Sequence, residues 1–83
     1  MEITEARKEI DRLDDQLIAL LEKRMALAEE IGRVKKAAGK PVRDPAREEQ
    51  ILQKIEHAAG KGYIAPIQSV YDTLFSECVK LER

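Results

Sequence analysis

Ten positions among the first 34 residues recur at alternating spacings of three and four: Ile3, Ala6, Ile10, Leu13, Leu17, Leu20, Arg24, Leu27, Ile31 and Val34. This pattern draws a heptad-like seam along one face of a single continuous helix. Gly39 and Pro41 supply a stop signal, and Thr4, flanked by Glu2 and Glu5, suits the start. At about 1.5 Å per residue, a helix over residues 5 to 38 is roughly 50 Å long.

Two shorter helices follow. The first runs from about Pro45 to Ala59, with Ile51, Leu52, Ile55, Ala58 and Ala59 on its apolar face, and ends at Gly60-Lys61-Gly62. The second begins near Pro66 and carries Ile67, Val70, Tyr71, Leu74, Phe75, Cys78 and Val79 to about residue 82. No strand-like alternation is present, so the expected class is all-α, with three helices in one domain over residues 1–83. Helices of roughly fifteen to eighteen residues cannot cover one of roughly 50 Å. The uncovered seam calls for another chain, and a homodimer is the economical solution. A plain coiled-coil scaffold is disfavoured by the helix breakers and by the separate apolar stripes of the second and third helices.

Charge and composition narrow the function. The 83 residues carry a net charge of −1, which leaves no broad electrostatic footprint for nucleic acid. Aromatic residues are 4% of the chain, too few for a base-stacking platform. No apolar run is long enough to span a bilayer and there is no secretory leader. Cys78, the single cysteine, has no internal partner, and no Cys/His spacing points to a metal. The expectation is a soluble, cytoplasmic protein without a cofactor.

Arg24 is the sole charge in the seam. It is either a tolerated register-setting or snorkelling residue, or a cation facing an anionic ligand. Lys35 lies three turns on along nearly the same face, roughly 16 Å away. Arg7, about 42 Å from Lys35 along the axis, cannot join them within one chain. If two copies cross antiparallel near residues 17 to 20, Arg7 of one falls opposite about residue 29 of the other, between Arg24 and Lys35.

The stretch KPVRDPAREE, residues 40 to 49, poses a related puzzle. Asp44-Pro45 reads as a helix start, which carries partial positive charge. Arg43 and Arg47 nevertheless flank it. A bound anion would balance them, and Asp44 and Glu48 would partly compensate them without one.

The order Arg7, Arg24, Lys35, then VRD at 42–44 and RE at 47–48, resembles the all-helical chorismate mutases of bacterial aromatic amino-acid biosynthesis. So do the phrases IDRLDDQLIALLEKRMALAEEIGRVK and PVRDPAREE. The resemblance covers almost the whole chain and is strongest over residues 7 to 48. It implies an intertwined antiparallel dimer of three-helix chains, with each site drawing an arginine from the partner. It implies that Arg7 of the partner, Arg24 and Arg43 hold the two carboxylates of chorismate, reinforced by Arg47. Lys35 would hold a carboxylate and donate to the ether oxygen. Glu48, with the backbone around Asp44, would hold the ring hydroxyl. The reaction implied is the Claisen rearrangement of chorismate to prephenate on the way to phenylalanine and tyrosine. That reaction requires no nucleophile, metal or proton transfer, only a reactive geometry and fixed donors.

Many relatives carry a small hydroxyl residue and a glutamine on the third helix; here those positions match Cys78 and Glu82. Cys78 is either a small buried hydrophobe or a weak ligand contact. Glu82 is either a frayed terminal residue or a catalytic group, and in the second case it donates to the ether oxygen only when protonated. Turnover should then fall as rising pH ionises it. His57, the one histidine, reads as a surface residue. Two alternatives stay open: an isochorismate–pyruvate lyase of the same fold, and a non-catalytic dimerisation or regulatory module. No segment is left over for a feedback-control domain, so control by an aromatic amino acid within this chain is not expected.

Overall fold

The computed structural model describes residues 1–83 and contains three α-helices, one 3-10 turn and no strand. Helix α1 spans Ile3–Ala38, α2 spans Pro45–Ala58, and α3 spans Ile64–Glu82 after a short turn at Lys61–Tyr63. The boundaries have local causes. Gly39 takes the left-handed conformation, φ 68°, which lets its own N–H and that of Lys40 return to Lys36 and Lys35 carbonyls at 3.2 and 2.8 Å. Asp44 caps α2 by accepting from Arg47 N at 3.1 Å, with Pro45 in the first turn. At the start of α1 the expectation fails: Glu2 is the N-cap, makes no side-chain cap, and Thr4 lies inside the helix. Helix α3 begins at Ile64, ahead of Pro66, because a proline in the first turn gives up an N–H that has no partner there.

Helix α3 folds back along the C-terminal half of α1 and α2 packs on α3, leaving an elongated body of 53 × 25 × 15 Å. The small core joins Ala28 of α1 to Leu74 and Cys78 of α3, with Leu21, Met25 and Tyr71 packed around it. Tyr71 and Phe75 meet edge to face, centroids 5.9 Å apart. Ile55 is the buried anchor of α2.

The packing stripe on α1 is not the seam. Leu21, Met25, Ala28 and Gly32 face α3, whereas Ile10, Leu13, Leu17, Leu20, Leu27, Ile31 and Val34 are each at least half exposed. The two stripes stand roughly 100° apart around the helix axis. Residues 7–20 are exposed throughout, so the N-terminal half of α1 projects from the body. The radius of gyration is 15.7 Å, against about 12 Å for a compact domain of this length. The accessible surface is 6762 Å², against about 5,000 Å² for a compact monomer of this mass. The bare half of α1, exposed over residues 7–20, contributes to both excesses. No helix is long and apolar enough to cross a membrane.

Candidate active site

A cavity of about 480 Å³ opens between the C-terminal half of α1, the first turn of α2 and the last turns of α3. Arg24 and Lys35 enter from α1, Asp44, Arg47 and Glu48 from the start of α2, and Cys78 and Glu82 from α3. Leu27, Ile31, Ile51, Phe75 and Val79 supply apolar wall. On α1, Arg24 belongs to the seam and Lys35 lies on the flank of it nearer the stripe packed on α3. The seam residues Leu27 and Ile31 also line the cavity, so the cavity borders the unpartnered face.

Each cation is held by its surroundings. The Arg24 guanidinium stands 5.7 Å from the centroid of the Tyr71 ring, and its Nη1 donates to Cys78 Sγ at 3.4 Å. Lys35 Nζ donates to the Val42 carbonyl at 2.7 Å and pairs with Glu82 Oε1 at 3.3 Å. Lys35 thus ties the loop before α2 and the end of α3 to α1. Arg43 does not line the cavity; its Nη2 pairs with Glu48 Oε1 at 3.1 Å from an exposed position. Arg47, which the sequence reading gave only a reinforcing part, lines the cavity. Asp44 spends one carboxylate oxygen on the helix cap.

Arg7 lies on the projecting half of α1, exposed and remote from the cavity of its own chain. His57 is exposed on the last turn of α2. Glu82 is not frayed: it is the last residue of α3, yet only 9% exposed. Cys78 is buried, belongs to the core and borders the cavity at once.

Sequence reasoning passed over Gly32. It falls between seam positions, and it is buried. A mid-helix glycine is unfavourable by about 1 kcal/mol relative to alanine, and that penalty was the available signal that something packs against it.

Three cations and three carboxylates line the cavity, so it is neutral when all are ionised. Such a set is unusual for a binding site of metal or hydrophobic ligands, but it suits an anion that exchanges partners with the carboxylates already present. It contains no nucleophile paired to a base. What it offers is a ring of fixed donors.

An all-helical chain whose three helices surround a cavity lined by fixed cations and carboxylates is the class these observations define. The family model for type II chorismate mutase matches residues 6–83, and the chain belongs to that family. It is 37% identical, over 99% of its length, to a bifunctional chorismate mutase/prephenate dehydratase of Aquifex aeolicus, of which the match covers 24%. It is 36% identical over 64% of its length to a chorismate mutase of Methanocaldococcus jannaschii, covering 54% of that protein. The chain therefore spans about a quarter and about half of these relatives. Among solved structures, a form II chorismate mutase from Thermus thermophilus superposes with a TM-score of 0.88 at 33% identity, with 96% of this chain and 92% of that one covered.

Proposed function

We propose that this chain is a chorismate mutase that works in the cytoplasm as a homodimer, with two sites completed by exchange of Arg7. The reaction breaks the ether C–O bond of chorismate and forms a C–C bond within the same molecule, giving prephenate. Its demands are to hold a flexible dicarboxylate in a chair and to favour the charge that builds on the ether oxygen. The observation that carries the reading is the convergence of Arg24, Lys35 and Arg47 with the Glu82 carboxyl on one cavity.

In this reading Arg24, Arg47 and Arg7 of the partner subunit hold the two carboxylates, because guanidinium pairs bidentately with carboxylate. The neutral lining supports the need for the fourth cation: Arg7 would leave the site net positive for a dianion. Lys35 has three N–H donors, of which Val42 and Glu82 engage two. The third is free for a substrate carboxylate, and movement of Glu82 would free a second for the ether oxygen. Glu48 and the backbone around Asp44 take the ring hydroxyl. Arg43 acts on Glu48 through their ion pair rather than on a substrate carboxylate. Cys78 seats the Arg24 guanidinium.

Loss of the ring-diene absorbance of chorismate, with the product identified by chromatography, tests the proposal. Conversion to prephenate is the expected result. No conversion would overturn it, and release of pyruvate from isochorismate would make the lyase the better reading.

A further inference from the structure

Glu82 stands in the last described turn of α3, where Lys80, Leu81 and Arg83 are all exposed. Its carboxyl nevertheless occupies a buried, defined position in the cavity. Its neighbours Leu81 and Arg83 are exposed, so burial of the surrounding segment does not explain the order. Two contacts from α1 do.

We propose that Gly32 and Lys36 are positioning residues for Glu82: they clasp the last turn of α3 against α1 and so fix where the Glu82 carboxyl stands. The inference rests on the mutase reading of the cavity and adds to it two residues that do not line the cavity. A Cβ at position 32 would lie 2.6 Å from both Glu82 Cα and the Glu82 carbonyl oxygen. Both are main-chain atoms, so no change of rotamer relieves the overlap. Helix α3 must instead withdraw by about 1 Å to regain ordinary contact. One turn further along the same face of α1, Lys36 Nζ donates to the main-chain oxygen of Arg83. Glycine lets the two backbones touch, and the lysine adds a second tie between the same two helices one turn on. Lys35, lying between them in sequence, meets the Glu82 carboxyl at 3.3 Å. A group that acts on the reacting atoms must be held to within about 0.5 Å, and these contacts supply that constraint.

The test is a set of double-mutant cycles on chorismate turnover, reading kcat and KM separately, with thermal melts to confirm folding. Gly32→Ala should lower kcat by about 10- to 100-fold, the effect of a misplacement near 1 Å, and change KM far less. In a Glu82→Ala background the same substitution should lower kcat by less than about twofold, because the group it positions is gone. Lys36→Met should lower kcat several-fold in the parent and not in the Glu82→Ala background, and Lys36→Arg should recover most of the loss. Losses that multiply in the double variants, or a raised KM at unchanged kcat, would overturn the inference. If Gly32→Ala does not fold at the assay temperature, the Lys36→Met cycle decides by the same criterion. An inactive parent protein would defeat the mutase reading and this inference together; an active parent with multiplying losses would defeat this inference alone.

Discussion

Lys35 and Glu82 form the most consequential pair at the scale of single residues. In the unliganded site they satisfy one another at 3.3 Å. With substrate bound, an ionised Glu82 would accept from Lys35 and repel the charge growing on the ether oxygen, whereas a protonated Glu82 would donate to it. The charged groups sharing the cavity with it are Arg24 and Lys35 of α1 and Asp44, Arg47 and Glu48 at the start of α2. The amide of Glu82→Gln donates at every pH, so this variant and the parent should differ in how their turnover depends on pH. A profile unchanged by the substitution would remove Glu82 from the chemistry. Lys35→Ala should lower kcat by about 10²- to 10³-fold, the usual effect of removing one preorganised donor. Arg43 and Arg47 can be separated in the same way. Steady-state kinetics should show a larger loss of kcat/KM for Arg47→Ala than for Arg43→Ala, since only Arg47 lines the cavity. The resemblance ranked these two the other way, with Arg43 on a carboxylate and Arg47 reinforcing it, whereas of the two Arg47 alone lines the cavity. Both flank the same helix start, and the orientation of each depends on the Asp44 cap and the Glu48 pair.

Helices show what was legible and what was not. The long α1 could be read from its repeat, and the stops at Gly39 and Gly60-Lys61-Gly62 from backbone chemistry. The direction in which α1 packs could not be read that way. The strongest apolar stripe was the natural candidate to meet α3, yet α3 lies on Leu21, Met25, Ala28 and Gly32, roughly 100° away. That second stripe is short and its residues are small or flexible, so periodicity alone undervalues it. Close approach of two helix backbones favours small residues, and Ala28 and Gly32 provide them. Leu74 fills this contact and is 7% exposed. Leu74→Ala should destabilise the fold by about 2–5 kcal/mol, with the cavity it leaves setting the value. Urea unfolding at matched protein concentration would measure it, and a change below about 0.5 kcal/mol, typical of surface sites, would contradict the described core.

The whole molecule is defined by what its own chain leaves bare. The exposed seam and the projecting half belong to one helix, α1, in a chain whose surface is about 1,800 Å² larger than a compact monomer's. A second copy packed antiparallel on that helix would cover the seam and carry its Arg7 toward the neutral cavity. Leu17→Glu, at the expected crossing, should shift the protein to monomer in sedimentation and abolish turnover, because two charges would be buried without partners. A dimer of unchanged affinity would place the interface elsewhere.

The most direct measurement mixes two inactive variants. Arg7→Ala lacks the donated arginine and Arg24→Ala lacks the resident one, so each homodimer has two broken sites. Refolded together, half the dimers are mixed, and each mixed dimer holds one site with both arginines intact. Chorismate turnover should return to about a quarter of the parent rate. If both variants fold, associate and mix, yet no turnover returns, the two arginines do not meet in a site shared between chains.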